Sequence, residues 1–337
     1  MRPEDALDRI VYLLDRDLAE TTKVRAFARA RDVVVETGDA DIERLHAAGK
    51  LTDLPGIGQS TGKVIAQALA GEVPDYLARL EDETVIPLDE GADLRAALRG
   101  DCHMHSTWSD GGASIEKMAR SAMALGHDYM VLTDHSPRLT IAHGLNPKRL
   151  KEQLVEVEAL NEQLAPFRIL TGIEVDILED GALDQTEELL ARLDVVVASV
   201  HSKLRMERRE MTRRMVAAVA SPQVDILGHC TGRKLVGRGR PPSTFDPEIV
   251  FAACAQFDTA LEINCRPERQ DPPDDLLRMA IDWGLRFSID TDAHAPGQLE
   301  WQAYGCDKAA RHGIAADRIV NTMGADDLVD WAATHAS

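Results

Sequence analysis

The residues of this chain best suited to chemistry are a set of histidines and carboxylates spread between positions 103 and 294. Six of the chain's eleven histidines belong to the set. Imidazole and carboxylate ligands without thiolates suit Zn²⁺, Mn²⁺ or Fe²⁺ at a reactive site better than a closed structural zinc cage. We therefore predict a catalytic centre for two or three divalent ions. Its predicted ligands are His103, His105, Asp110, His135, Glu174, His201, His229, Asp292 and His294.

The spacing of these residues supports a shared site. In His103-Met104-His105 and in Asp292-Ala293-His294 the outer two residues point to one face of an extended chain, about 7 Å apart. Glu174 has two carboxylate oxygens and is placed to serve two ions at once. The alternative is that each histidine is an ordinary polar residue at a strand end, but the size of the set favours metal binding.

The elements that must position these ligands are strands, because nearly every ligand follows a short run of apolar or β-branched residues. Parallel strands between helices present their carboxyl ends on one face, where residues distant in sequence converge. The alternation from residue 100 onward predicts a (β/α) barrel. We predict strands ending before His135 and at 169–175, 195–200, 224–228, 260–264 and 286–290. We predict helices over 115–126, 147–164, 183–193, 208–220, 247–257 and 274–283.

Composition sets the limits of the interpretation. With 337 residues, 44% of them hydrophobic, the chain has room for a barrel and one smaller domain. No apolar run reaches the roughly 18 residues needed to span a bilayer, and the start of the chain lacks the order of a signal peptide, so we expect a cytoplasmic protein with no membrane partner. A net charge of −19 argues against general coating of nucleic acid.

The five cysteines form no CxxC pair, and we expect them to be reduced. Cys102 and Cys230 adjoin the ligands His103 and His229. A metal role is conceivable for these two thiols, but a small buried hydrophobe is the simpler interpretation.

The first 80 residues have a helical pattern over 3–18, 23–36 and 39–48, and the segment 51–65 interrupts it. Leu54-Pro55-Gly56-Ile57-Gly58 predicts a tight turn that exposes backbone N–H groups at a helix start, where a phosphate can bind. This segment resembles a helix-hairpin-helix, with Gly56, Gly58 and Lys63 as the expected DNA-backbone contacts. A plain helical connector is the alternative. Residues 1–95 contain 12 Lys and Arg against 20 Asp and Glu, so we expect any binding to DNA by this region to be weak or local.

The predicted domains are a helical domain over 1–80, a linker over 81–99 and a metal-dependent domain over 100–337. In this last domain the order of motifs resembles the polymerase and histidinol phosphatase (PHP) family. The motifs are His103-Met104-His105, Asp110, Asp134-His135, Glu174, Ser199-Val200-His201, Gly228-His229 and Asp292-Ala293-His294.

The resemblance implies a distorted (β/α)7 barrel that hydrolyses phosphate esters. It implies His103, His105, Glu174 and Asp292 around one ion, Glu174, His201 and His229 around a second, and Asp110, His135 and His294 around a third. His103, His105, Glu174, His201 and Asp292 would carry the catalysis.

The match is closer to the PHP domain of bacterial family X DNA polymerases. It extends through residues 101–111, Thr231-Gly232-Arg233 and Glu262-Ile263-Asn264, and the first 80 residues resemble the N-terminal helical domain of those polymerases. The nucleotidyltransferase palm has no room between residues 80 and 100, so we expect no polymerase activity here, and a polymerase or repair partner would be a separate protein. Cys230 departs from the family pattern, which has proline after the histidine.

Cations near the ligands could bind the phosphate of a substrate. They are Lys203, Arg233, Arg266 and Arg269, with His143 as a candidate general acid, although an ordinary surface role is the alternative for each. We predict a metal-dependent phosphoesterase that processes DNA ends as a 3′-to-5′ exonuclease, 3′-phosphatase or abasic-site nuclease. A small-molecule phosphatase, such as a histidinol-phosphate phosphatase, and a non-catalytic DNA-end adaptor are the alternatives. The oligomeric state is left open.

Overall fold

The computed structural model describes residues 1–336 and contains two compact units, of which the first is Met1–Ile86 and the second begins at Pro87. The predicted linker over 81–99 therefore includes the end of one helix in the first unit and a short helix in the second. No helix among the described residues is both long and apolar enough to cross a membrane.

The first unit is a bundle of helices around an aliphatic core. The helices are α1 (Pro3–Arg16), α2 (Thr21–Thr37), α3 (Asp39–Ala47), α4 (Gln59–Leu69) and α5 (Asp75–Glu83). Helix α1 begins with Pro3 at a position where its missing N–H costs nothing, and its apolar stripe, including Leu7, Ile10 and Leu14, is buried. Phe27, from α2, is buried in the same core.

The second unit is a seven-stranded parallel sheet with helices between the strands. The strands are β1 (Gly100–Met104), β2 (Tyr129–Leu132), β3 (Arg168–Asp176), β4 (Val195–Ser199), β5 (Ile226–Leu227), β6 (Ala260–Asn264) and β7 (Phe287–Asp290). The helices are α6 (Ala92–Ala97), α7 (Ile115–Ala124), α8 (Pro147–Leu164), α9 (Glu187–Leu190), α10 (Arg208–Val219), α11 (Pro247–Phe257), α12 (Asp274–Asp282), α13 (Gln302–Arg311) and α14 (Ala325–Ala333).

The sheet runs in chain order from β1 to β7 and curls so that its two edges meet. His105 N donates to Ala293 O at 2.8 Å, just beyond the ends of β1 and β7. Between β1 and β7 themselves, Cys102 N donates to Asp290 Oδ1 at 2.8 Å, so a side-chain oxygen accepts a hydrogen bond that a backbone carbonyl would accept in a regular sheet. The predicted (β/α)7 barrel, preceded by a helical region, is confirmed.

Two predicted elements are shorter in the structure. The helix predicted over 183–193 is only α9, because the preceding residues turn back and Leu183 pairs with Ile177 in an antiparallel bridge. The strand predicted over 224–228 is only β5, since the chain leaves the sheet at Gly228 and His229 N donates to the side chain of Glu262 instead.

Candidate metal centre

All nine predicted ligands lie at or just beyond the carboxyl ends of the barrel strands, as the sequence pattern predicted. His103 belongs to β1 and Glu174 to β3, where both side chains are almost fully buried. His201 comes two residues after β4, and Asp292 two residues after β7. Because parallel strands end on one face, these positions converge even though almost two hundred residues separate the first ligand from the last.

Glu174 lies at the middle of the cluster, and its two oxygens face different histidines. Oε1 lies 2.9 Å from His229 Nε2 and 3.1 Å from His201 Nε2. Oε2 lies 2.8 Å from His135 Nδ1 and 3.5 Å from His103 Nε2. This is the arrangement expected of a carboxylate that bridges two ions.

Two further carboxylates complete the cluster. Asp110 Oδ1 lies 3.3 Å from His294 Nε2 and 3.5 Å from His135 Nε2. Asp292 Oδ1 lies 3.3 Å from His105 Nε2. Asp292 has a φ of 52°, a left-handed conformation that costs free energy for most residues, so the loop after β7 holds this side chain under backbone strain.

Three sets of ligand atoms lie within 4.8 Å of one another and so fit one ion each. The sets are His103, His105 and Glu174; His135, Glu174 and His201; and His105, Asp110, His135 and His294. The third contains the predicted set Asp110, His135 and His294, and the first lacks only Asp292 from its predicted set. The second differs, because His135 takes the place that we predicted for His229.

The unpartnered atoms of the cluster fit metal binding. Both ring nitrogens of His105 and of His201, Nε2 of His103 and Oε2 of Glu174 have no hydrogen bond of acceptable geometry among the described residues. Leaving several buried polar atoms unsatisfied is costly unless something else binds them. Divalent ions are the natural partners of this donor set, which contains nitrogen and oxygen but no sulfur.

Residues behind the ligands orient them, and sequence reasoning gave these residues no role. His103 Nδ1 is held by Glu262 Oε1, and the backbone N–H of His201 donates to Asp176 Oδ1 at 3.0 Å. Asp134 accepts from Ser109 N at 3.1 Å and so positions the loop that carries Asp110. The available signal was a charged residue inside a strand, such as Glu262 in Ala-Leu-Glu-Ile-Asn, because a buried carboxylate needs a partner.

Electrostatic forces in the cluster shift the pKa values of its ligands in both directions. Burial disfavours protonated imidazoles, but Glu262 raises the pKa of His103 well above its usual range and Glu174 raises the pKa of His201 to about 9. Burial, with the nearby charges of His294 and His135, holds the pKa of His105 well below its usual range, which keeps the imidazole neutral for ligation. Burial would raise the pKa of Glu174, but His201, His103 and His135 hold that pKa well below its usual range. Burial likewise opposes ionisation of Asp292, and Arg266 overcomes it and lowers the pKa of that carboxyl.

Of the five predicted phosphate contacts, Arg266 and Arg269 lie at the cluster. Arg266 Nη1 lies 2.9 Å from His294 Nδ1, and Arg269 Nε lies 3.3 Å from Asp292 Oδ2. Arg233 donates from Nε to Arg269 O at 2.9 Å and from Nη2 to Gln270 O, so the structure uses this side chain to hold the neighbouring loop.

The remaining two predicted contacts are exposed. Lys203 lies on the loop after His201, and its φ of 52° is left-handed. His143 also has a left-handed φ, of 57°, and its carbonyl oxygen accepts from Arg149. Neither side chain has a contact with the ligands in the described structure.

Two of the predicted DNA-backbone contacts, Gly56 and Gly58, lie in the turn before α4, and the third, Lys63, lies in α4 itself. Gly56 has a φ of 106°, and a Cβ there would lie 2.9 Å from Arg29 Nε, so glycine is required for conformation and for space. Gly58 is the residue before α4, and a Cβ there would meet nothing within 4 Å. Lys63 Nζ pairs with Asp75 Oδ2 at 2.7 Å on the surface, which offsets its charge.

The five cysteines are free thiols and buried. Cys230 Sγ lies 3.8 Å from Asp271 Oδ1, to which it donates, and burial holds the pKa of the thiol well above its usual range. None of the metal-compatible sets among the described residues contains a cysteine. The simpler interpretation of Cys102 and Cys230 as small buried residues therefore accounts for their surroundings.

Two comparisons, one with a family model and one with known protein sequences, give the same family. A model of the PHP domain matches residues 101–238, which include seven of the nine ligands. DNA polymerase/3′-5′ exonuclease PolX of Bacillus subtilis (strain 168) is 39% identical over 231 residues, covering 68% of this chain and 40% of that protein. A probable phosphatase of Thermoanaerobacter sp. (strain X514) is 32% identical over 243 residues, covering 66% of this chain and 89% of that protein.

Among solved structures, the putative histidinol phosphatase hisK from Listeria monocytogenes matches with a TM-score of 0.46 at 17% identity, covering 59% of this chain and 97% of that one. The chain thus spans less than half of the PolX relative and most of the phosphatase relative. With the family model matched over the first seven ligands, and a relative matched over nearly its whole length, the chain belongs to the PHP domain family and is a metal-dependent phosphoester hydrolase.

Proposed function

We propose that this protein hydrolyses phosphoester bonds at DNA ends, as a 3′-to-5′ exonuclease, a 3′-phosphatase or an abasic-site nuclease. The observation that carries the proposal is the convergence of the eight other ligand side chains around Glu174, within a chain whose PolX relative is named a 3′-5′ exonuclease. Identity to that relative, at 39%, exceeds the 32% identity to the probable phosphatase. The helical first unit, with its turn before α4, supplies a candidate contact to a DNA backbone.

The ligand sets suggest two or three divalent ions, with Zn²⁺, Mn²⁺ and Fe²⁺ as the candidates. Glu174 would be shared between ions through its two oxygens, with His201 and His229 on one side and His103 and His135 on the other. Asp110 and His294 would complete a further site. When bound, such ions supply an activated water near neutral pH and neutralise charge on the phosphate.

The protein's own residues would hold the substrate in line for attack. Arg266 and Arg269 flank Asp292, and Arg269 Nη1 has no hydrogen-bond partner among the described residues. Guanidinium N–H groups in this position suit the oxygens of a phosphate. Glu262 would keep the His103 ring in one orientation, so that Nε2 faces the site.

A second candidate is hydrolysis of a small phosphomonoester such as histidinol phosphate. The probable phosphatase relative favours it, because the alignment covers 89% of that protein. The relative therefore has no large domain beyond the part that matches this chain. The remaining alternative, a non-catalytic DNA-end adaptor, would not require all nine ligands, and the chain retains every one.

The test offers the Mn²⁺- or Zn²⁺-loaded protein three substrates side by side: 3′-recessed DNA, 3′-phosphorylated DNA and histidinol phosphate. His103→Ala serves as the blank, because it removes a ligand that faces Glu174. Turnover of either DNA substrate without histidinol phosphate would support end processing and separate exonuclease from phosphatase. Turnover of histidinol phosphate alone would overturn the proposal and make the protein a small-molecule phosphatase.

A further inference from the structure

Positive charge in this acidic chain is concentrated in one stretch. Residues 201–240 contain ten Lys and Arg against three Asp and Glu, although the whole chain has 38 against 57. The stretch begins at His201 and includes His229, two residues of the metal centre. Segregated charge of this kind creates a local field that the net charge of the protein conceals.

Two loops bring these cations together. The loop after β4 and the loop after β5 contact each other, since a Cβ on Gly232 would lie 2.8 Å from Leu204 Cδ2. Between them lies a cleft of about 440 Å³, lined on one side by Arg205, Glu207 and Arg208 and on the other by Arg240 and the residues that follow it. The cleft therefore has cations on both walls, and each wall leads back to a ligand of the centre.

The loop after β5 forms a small hairpin that connects the cleft to the metal centre. Lys234 N donates to Arg240 O at 2.9 Å, and Arg240 N donates back to Lys234 O at 2.8 Å. At the hairpin, Leu235 N donates to Glu268 O at 2.6 Å. Glu268 lies on the loop that carries Arg266 and Arg269 beside Asp292, so cationic side chains continue from the centre to the cleft.

The charges along this path are largely unneutralised. Arg208 pairs with Asp246 at 2.9 Å, but Arg205, Lys234, Arg238 and Arg240 have no carboxylate partner among residues 1–336. Arg240 donates from Nε to Gly232 O at 2.6 Å, which places its guanidinium group against the loop without neutralising its charge. Burial, followed by the repulsion of Arg269, Arg240 and Arg266, lowers the pKa of Lys234 against the opposing attraction of Glu268. Uncompensated cations at this density are what a polyanion requires.

We propose that the basic track, defined as Arg205, Lys234, Arg238 and Arg240, binds the phosphodiester backbone of a single-stranded nucleic acid whose end lies at the metal centre. This inference rests on the proposed function and names the form of its substrate. A small phosphomonoester would occupy the centre and the two arginines beside Asp292, and it would leave the track unused. Leu235 and Val236 are 51% and 55% exposed beside the cations, and they offer apolar surface to unstacked bases.

The test compares Arg205→Gln/Arg238→Gln with Arg192→Gln/Arg278→Gln. Both double variants remove two exposed arginines whose side chains have no partner among the described residues, but the second pair lies outside the basic track. Binding of a labelled oligothymidylate is measured by fluorescence anisotropy without metal across a range of salt. Hydrolysis of the same oligonucleotide and of bis(p-nitrophenyl) phosphate is measured with Mn²⁺.

The basic track predicts that the first variant binds the oligonucleotide about tenfold more weakly at low salt, with a salt slope smaller by about 1.4. The ratio of oligonucleotide to bis(p-nitrophenyl) phosphate turnover should fall in parallel, while the control variant matches the wild type. If the first variant bound the oligonucleotide as tightly as the wild type, the proposed role of the basic track would be wrong. Equal losses of turnover on the oligonucleotide and on bis(p-nitrophenyl) phosphate would also contradict it. So would competition by polyglutamate as strong as by oligothymidylate, which would instead indicate an acidic protein partner.

Failure of the proposed function gives a different result. Suppose that the wild-type protein binds the oligonucleotide through the basic track, with the predicted salt dependence, but hydrolyses only the small ester. The basic track would then stand as a nucleic-acid binding surface, and the proposed hydrolysis of DNA ends would be wrong.

Discussion

His103 Nδ1 lies 2.6 Å from Glu262 Oε1, and both side chains are fully buried. The carboxylate fixes one ring nitrogen, so the other is aimed at Glu174, 3.5 Å away. The second oxygen of Glu262 accepts from His229 N, which ties two of the predicted ligands to one buried group. Partners of this kind set both the orientation and the basicity of a ligating imidazole.

Replacement of Glu262 by glutamine should weaken metal binding about 10- to 100-fold. The amide keeps the size of the side chain but loses the charge that supports His103, so affinity should fall while the fold persists. Titration of the metal-free protein with Mn²⁺ against a competing chelator measures the change. Glu248→Gln, an exposed carboxylate on α11, is the matched control. Equal affinities for the two variants would show that Glu262 does not support the centre.

The turn before α4 can be tested without disturbing the bundle. Gly58→Asp and Gly58→Asn both place a favourable residue at the start of α4, where a Cβ has open space. Only the aspartate adds a charge that repels phosphate. We expect the aspartate variant to bind duplex DNA several-fold more weakly than the asparagine variant, with the free energy of unfolding of both at or slightly above that of wild type.

The measurement is DNA affinity by anisotropy at low salt, accompanied by thermal unfolding of each variant. If the two variants bind DNA equally, no phosphate binds at this turn, and the first unit is a plain helical domain. Gly56 is unsuitable for the experiment, because its φ of 106° would strain any other residue and a side chain there would displace Arg29.

His127 should make the protein sensitive to acid independently of the metal centre. Its side chain is buried before β2, and burial, then the charge of Arg95, lowers its pKa from 6.5 to about 4. Between these pH values the unfolded chain binds a proton at His127 that the folded chain does not bind. The free energy of unfolding is therefore unaffected by His127 above about pH 6.5 and decreases as the pH falls from 6.5 toward 4. The loss is at most about 3 kcal/mol.

The His127→Gln substitution should reduce the loss of thermal stability between pH 6.5 and pH 4. Thermal unfolding of the metal-free protein at several values between pH 4 and 7 gives the comparison, with the exposed His46→Gln as control. A variant that loses stability with acid as steeply as the wild type would mean that His127 is not the group responsible.

Much of the barrel is predictable from sequence, because its strands are short apolar runs with little competing pattern. Helices α8 and α11 and strand β6 have the bounds predicted from their apolar periodicity and from the Pro147 and Pro247 signals at the helix starts. Helices α13 and α14 were not predicted. Helix α13 buries the polar residues Gln302, Asp307 and Lys308 together with apolar ones, so apolar residues alone do not mark its inward face.

The convergence of the nine predicted ligands was predictable from residue type and from their position after strands, whereas their grouping into sets of neighbouring ligand atoms was not. Whether His135 or His229 joins Glu174 and His201 depends on how loops cross the barrel mouth, which no spacing in the sequence encodes. Arg233 was predicted as a phosphate contact but holds carbonyl groups of the neighbouring loop, because its position after Gly232 directs it there. The cations of the basic track are visible in the sequence, but their grouping depends on the contact between two loops.

The most direct test of the account is hydrolysis of bis(p-nitrophenyl) phosphate during titration of the metal-free protein with Mn²⁺, in parallel with Glu174→Gln. The structure predicts no turnover without metal, saturation only after more than one ion per chain, and a loss of at least about 100-fold in the variant, because Glu174 faces both sides of the cluster. Turnover that persists in the presence of a chelator, or a Glu174→Gln variant as active as the wild type, would contradict a shared metal centre built around Glu174.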